Sequence, residues 1–207
     1  MGEAELSYKY HTVAEYIALE ENSNEKHYYR KGRIIAVSEI FGMAGGRPNH
    51  ALLQSNIQRG IGNALSKTNK PCLTYSSDLQ IALSDDEYIY ADGSVICGGI
   101  EFYEDNYLAA KNPILIIEVL SDFSEKYDRG DKFREYRQIK SFSEYVLISQ
   151  NQVWVEVYFK PERIDFWQYK SYQGLDEVVK LQSIDCEVPM NEIYLGWIEP
   201  NRNVKKA

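Results

Sequence analysis

The most apolar run in the chain is Asn112-Pro113-Ile114-Leu115-Ile116-Ile117-Glu118-Val119-Leu120-Ser121, and its interior shows no alternation of polar and apolar positions. A strand that is hydrophobic on both faces is covered on both sides, so residues 114–121 predict the centre of a sheet. Two strands are predicted before it, 73–83 and 88–97. A meander is predicted after it: 144–149, a Gln150-Asn151 turn, 153–159 and 163–170, with a short strand at 178–181. Helical spacing governs the remaining segments. Thr12 opens a short helix through Val13, Tyr16, Ile17 and Leu19, with Glu15 as its capping-box partner. Residues 27–37 read as a hairpin turning at Lys31-Gly32. The glycine-rich segment 42–48 reads as a flexible loop, after which Asn49 caps a helix whose buried face is Leu53, Ile57, Ile61 and Leu65. A further helix is predicted over 128–139 and a last helical turn over 191–197. Helices before and after a mixed sheet make the chain α/β (α+β), as one domain over 1–207.

Composition narrows the partners. At 207 residues the chain can bury a full core without staples. The 17 tyrosines favour a sheet-rich fold. A net charge of -8 argues against a protein that coats nucleic acid constitutively, because counterion release requires a basic surface. It leaves room for a nucleic-acid enzyme with a local acidic metal site. Cys72, Cys97 and Cys186 are odd in number and share no metal-type spacing, so they read as free thiols in a reducing cytoplasm. No run approaches the ~20 apolar residues of a membrane span and no signal-peptide core follows Met1, which predicts a cytoplasmic protein without a membrane partner.

Glu118 breaks the pattern. An ionised carboxylate among Ile116, Ile117, Val119 and Leu120 costs several kcal/mol unless a cation compensates it. Either the strand end already reaches solvent, or Glu118 is a metal ligand. Asp92 is a candidate partner, on the face of its strand opposite Ile89, Ala91, Gly93 and Val95. Asp92-Gly93 is also a hairpin signal, but the flanks leave little sequence for two strands. Asp and Glu on neighbouring strands can share one hard cation. Asp128, Lys132 and Tyr136 then fall at i, i+4 and i+8 on one helix face. The plain alternative is an Asp128 N-cap with Asp131 in its capping box and a solvated Lys132. His50, in the first turn of its helix, is either structural or placed to help position water or phosphate. Asp78 is either a further acid or a polar edge residue. P-loop, GxGxxG, GxSxG and HExxH motifs do not occur.

Taken in order, Tyr-Ala-Asp92-Gly-Ser-Val, Asn-Pro-Ile-Leu-Ile-Ile-Glu118-Val-Leu-Ser, Tyr-Asp128-Arg-Gly-Asp-Lys132-Phe-Arg-Glu-Tyr136-Arg and Ser-Phe-Ser-Glu-Tyr-Val-Leu-Ile resemble the Uma-type endonucleases. This bacterial family is placed in the PD-(D/E)XK restriction-nuclease superfamily. Gly-Gly-Arg-Pro-Asn-His50 and Ser-Asp78-Leu-Gln-Ile also match, and the resemblance runs over about 12–197. It implies a mixed sheet core flanked by helices, here with an added meander, and Asp92 and Glu118 as carriers of Mg²⁺ or Mn²⁺. A backbone carbonyl near Val119 would complete that site. The superfamily's Glu-x-Lys lysine is absent, since position 120 is Leu, and the resemblance moves it to Lys132. His50, Asp78, Asp128 and Tyr136 are supporting residues in that reading.

The implied activity is metal-assisted hydrolysis of DNA. Cleavage of both strands would call for a homodimer, in which Trp154, Tyr158 and Trp167 are interface candidates if they are not core. Two departures stand out: Ala91 replaces a proline, and the family's acidic hairpin becomes Tyr28-Tyr29-Arg30-Lys31-Gly32-Arg33. That hairpin and the acidic charge motivate the alternative of a binding or assembly module on a nuclease scaffold with little catalysis. A carboxylate-pair glycosidase fits less well, because it needs no lysine beside its acids.

Overall fold

The computed structural model describes residues 9–41 and 48–200. The expected loop at 42–48 falls almost entirely outside them. Two β-sheets carry the chain, and it passes back and forth between them. The first sheet runs β2-β1-β5-β4-β7, formed by β1 (His27–Arg30), β2 (Arg33–Ala36), β4 (Gln80–Ala82), β5 (Glu87–Tyr90) and β7 (Ala109–Ala110). The second runs β11-β10-β9-β8-β6-β3. Its members are β3 (Cys72–Ser76), β6 (Gly93–Cys97), β8 (Leu115–Leu120), β9 (Glu144–Ser149), β10 (Val155–Phe159) and β11 (Gln168–Tyr172). A separate hairpin joins β12 (Val178–Leu181) to β13 (Cys186–Pro189). The helices are α1 (Val13–Glu20), α2 (Val37–Phe41), α3 (Pro48–Leu65), α4 (Glu125–Tyr127), α5 (Phe133–Tyr136) and α6 (Met190–Ile193), with a π-turn at Asp128–Lys132 between α4 and α5. Mixed sheets with several helices make the class α+β.

β8 is the central strand its composition predicts. All six of its residues are buried, between antiparallel β6 and parallel β9. Side chains alternate along a strand, so Leu115, Ile117 and Val119 enter a core with Leu53, Ile57 and Ile61 of α3. Ile116 and Leu120 enter a second core with Tyr136, Tyr145 and Ile89. Glu118 points the same way as Ile116 and Leu120, into that second layer. A third cluster seats α1 on the first sheet through the stacked rings of Tyr16, Tyr29 and Tyr88. The Thr12–Glu15 capping box is present, and Lys31-Gly32 turns the β1–β2 hairpin with both φ positive, as a two-residue type I′ turn requires.

Several expectations are corrected. The strand at 73–83 is two strands in different sheets, because Asp78 N–H bonds back to the Ser76 hydroxyl and Leu79 N–H to the Ser76 carbonyl, turning the chain. The strand at 88–97 likewise breaks at Ala91-Asp92, with β5 in one sheet and β6 in the other. The helix over 128–139 begins earlier, at Glu125, and passes through the π-turn. Asp128 therefore lies inside it, and Asp131 pairs with Arg134 instead of capping. Asn49 lies within α3 behind Pro48, a residue suited to a first turn. Its amide donates to the Gln150 and Ile198 carbonyls. The last meander strand lies at 168–172, β13 was not anticipated, and the last helix ends at Ile193. Tyr158 and Trp167 pack on the Phe133 ring as part of the second core, and Trp154 is half-buried.

The cysteines differ as well. The antiparallel register sets Cys72 opposite Cys97, and the two form a disulfide; Cys186 is free and buried. That removes the thiol-based ground for a reducing compartment. Among the described residues no helix is long and apolar enough to cross a membrane. Alkylation of the unfolded but unreduced chain is expected to modify Cys186 alone, and all three cysteines after reduction, as read by intact mass. Three modifications without reductant would contradict the bridge.

Candidate active site

β6 pairs with β8 through Gly93↔Ile117, and one antiparallel step beyond the last pair sets Asp92 across from Glu118. Their backbones and side chains interlock at that point. Asp92 N–H donates to Glu118 Oε2 at 3.3 Å, and Val119 N–H donates to Asp92 Oδ2 at 2.7 Å. The break between β5 and β6 thus frees the Asp92 peptide for this contact.

Lys132 comes from the π-turn. Its Nζ lies 2.8 Å from Glu118 Oε1 and 3.5 Å from Asp128 Oδ1. Tyr136 donates its hydroxyl to the same Glu118 Oε1 at 2.8 Å, and Tyr145 donates to the Asp128 carbonyl at 3.0 Å. Glu118 is 2% exposed, Asp128 2% and Lys132 4%. Burial of that degree removes both plain readings, the carboxylate that reaches solvent and the solvated lysine. The wider winding keeps Asp128 and Lys132 on one inward face; such π-bulges inside helices occur often at functional sites.

α3 closes the other side. His50 Nε2 lies 3.2 Å from Asp92 Oδ2, and Gln54 Nε2 donates to Asp92 Oδ1 at 2.6 Å. Gln58 Nε2 donates to the Asp92 carbonyl at 3.1 Å. Sequence reasoning named His50 but not the two glutamines. Their spacing of four and eight from His50 marks the shared face, but the residue type gives no signal. Tyr28 was also missed: it is buried and feels the charges of Lys132, Glu118, Asp128 and Asp92. Arg30 forks onto Glu135 at 2.9 Å through both nitrogens and also donates to the Tyr127 hydroxyl, so the altered hairpin docks on α5. Asp78 stands apart, 82% exposed in its side chain and paired with Lys26 at 2.8 Å.

The electrostatics follow from this crowding. Burial, then Asp128 and Asp92, push Glu118 up to about 8 against the pull of Lys132. Burial also raises Asp128. Burial pushes Asp92 up too, but the His50 hydrogen bond and charge and Lys132 outweigh it and hold Asp92 low. Burial pulls His50 down, yet Asp92, with smaller pulls from Asp128 and the Val119 backbone, leaves it raised. Lys132, despite burial, is held well above the usual lysine range by Glu118. It is therefore a fixed ammonium, suited to act as a charge and not as a proton acceptor.

Three carboxyl groups meet Lys132 and His50 here, and buried Asp128 Oδ1 has only the 3.5 Å contact with Lys132. Hard oxygen donors grouped in this way fit a divalent cation such as Mg²⁺, which usually takes one or two carboxylates and keeps several waters. Among the described residues no three His, Cys, Asp or Glu side chains form a ready-made cage.

Residues 13–191 match the family model described as "Uma2: Putative restriction endonuclease". The chain belongs to the Uma2 family. It is 32% identical over 183 residues to "Uncharacterized protein slr1290" of Synechocystis sp., covering 88% of this chain and 90% of that protein. It is 35% identical over 150 residues to "Uncharacterized protein sll1609" of the same organism, covering 72% and 80%. The α+β architecture is consistent with the restriction-endonuclease-like fold, and Uma2 membership points to a nuclease.

For this Uma2 chain the raised Glu118 carries a pH prediction. A carboxyl that binds its proton more tightly when folded contributes stability that is present below its unfolded value, near 4.5, and lost as pH rises through about 8. Denaturant unfolding of the metal-free protein across that window is expected to show this loss, and Glu118→Gln to remove that component of the slope. Parallel profiles for parent and variant would refute the raised carboxyl.

Proposed function

We propose that the chain is a metal-dependent endodeoxyribonuclease, one endonuclease-like unit in which Asp92, Glu118 and the Val119 carbonyl hold Mg²⁺ or Mn²⁺. The observation that carries this reading is the juxtaposition of Asp92 and Glu118 across the β6–β8 register with the Lys132 ammonium 2.8 Å from the Glu118 carboxylate. When bound, such an ion supplies polarisation of the scissile phosphate and a lowered pKa for a coordinated water.

The chain's own groups do the rest. Lys132 offers a fixed positive charge to the phosphoryl oxygens as negative charge builds on them, in a site dry enough for that charge to count. Tyr136 and Lys132 orient Glu118 through Oε1, leaving Oε2 toward Asp92. His50 keeps Asp92 ionised. DNA is the substrate in this reading, and cleavage of both strands would need two copies of the site, hence a homodimer.

Supercoiled plasmid and linear duplex incubated with Mg²⁺ or Mn²⁺ test the proposal. Nicked and linear products are expected from the parent protein, and none with chelator or with Glu118→Ala. If Glu118→Ala cleaves as well as the parent, the assignment fails.

A further inference from the structure

The geometry points to Gln54 and Gln58 as positioning residues that aim Asp92 at the cation; this inference rests on the metal site proposed above. Every polar atom of Asp92 is engaged. Gln54 fixes Oδ1 at 2.6 Å, Val119 N–H fixes Oδ2 at 2.7 Å, Gln58 fixes the carbonyl at 3.1 Å, and the N–H is spent on Glu118. Asp92 lies outside both sheet ladders, so no backbone pairing holds its peptide plane. The two glutamine amides replace that pairing from the side. Gln58 touches neither carboxylate, yet by holding the Asp92 carbonyl it sets the plane that directs Asp92 N–H to Glu118 Oε2. It thereby couples the two acids to each other.

Gly93 supplies independent support. A Cβ at that position would stand 3.2 Å from Gln58 Nε2 and 3.4 Å from the Ile117 side chain. A side chain there would press the Gln58 amide away from its place by a few tenths of an ångström, so the glycine gives that amide its room beside the Asp92 carbonyl. Residues that orient a ligand in this way typically change metal affinity by 10–100-fold when lost. Met in place of Gln keeps the length of the side chain and removes the donor, so it separates the hydrogen bond from the packing.

The experiment is calorimetric titration of the full chain with Mn²⁺, at a temperature where circular dichroism shows each variant folded. Gln54→Met and Gln58→Met are each expected to weaken Mn²⁺ binding about tenfold or more. The double variant should lose little more than the more impaired single, since both position the same residue, Asp92. Ser55→Ala, on the exposed face of the same helix, should bind as the parent does, and a purely structural role for the glutamines would lower thermal stability without moving the affinity. If a Met variant does not fold, Gly93→Ala delivers the same test, because it crowds Gln58 without removing it. Parent-like affinity in Gln54→Met, Gln58→Met and Gly93→Ala overturns the positioning role and leaves the metal site standing. A parent protein that takes up no Mn²⁺ overturns the metal site itself and the inference with it.

Discussion

Replacing Lys132 with methionine is expected to abolish DNA cleavage and to destabilise the metal-free protein by about 3–5 kcal/mol, the cost of leaving buried charge unpaired. Burial sets the size of the effect. Lys132 is 4% exposed and lies between Glu118 and Asp128, so above about pH 8, where Glu118 is ionised, its removal leaves that charge unpaired in a low-dielectric layer. An exposed lysine in an ordinary ion pair would cost less than about 1 kcal/mol. Mn²⁺ should restore part of the lost stability, because the cation supplies charge where the ammonium stood nearby. Lys126, exposed on α4, is the comparison, and Lys126→Ala should be silent in both assays. Denaturant unfolding with and without Mn²⁺, beside single-turnover cleavage, reads all of this. A Lys132→Met protein that unfolds and cleaves like the parent would remove Lys132 from the site.

The second large effect belongs to Glu118. Glu118→Gln keeps one acceptor oxygen that Tyr136 and Lys132 can share, as they share Oε1 now, and is expected to fold, but it removes half of the carboxylate pair. In the parent, Mn²⁺ at about a hundred times its dissociation constant should add roughly 2.7 kcal/mol of stability through linkage. The variant should gain little at the same concentration and should not cleave. An equal thermal shift in parent and variant would mean that the ion binds elsewhere.

Much of this site was legible because charge in a hydrophobic strand is expensive. Glu118 stands out in its run on transfer energetics alone, and burial on both faces of β8 follows from the same run. The lysine, Asp128 and Tyr136 were legible from helical spacing, although the backbone meets that spacing with a π-turn, which periodicity does not reveal. Asp92 reads in the sequence as a candidate partner within a strand neighbouring that of Glu118; the register sets it across from Glu118, at a break between two strands. The Asp-Gly signal marks a true break, since the chain changes sheets there, and the bonds that hold the break come from Gln58 and Glu118, 34 and 26 residues away. Such long-range side-chain bonds leave no local pattern. The same holds for the turn at Ser76 to Leu79 and for the Cys72–Cys97 bridge, which depends on a strand register that single residues do not encode. Asp78 matched in sequence order yet faces solvent, because the turn that splits β3 from β4 swings it outward to Lys26.

The most direct measurement is a crystal of the chain grown with Mn²⁺, with data collected at the manganese absorption edge. The account predicts an anomalous peak contacted by the Asp92 and Glu118 carboxylates and the Val119 carbonyl, with Lys132 retained beside it. Saturating Mn²⁺ with no peak there, and the Asp92 carboxylate still held by His50, Gln54 and the Val119 N–H and that of Glu118 by Lys132, Tyr136 and the Asp92 N–H, would contradict it.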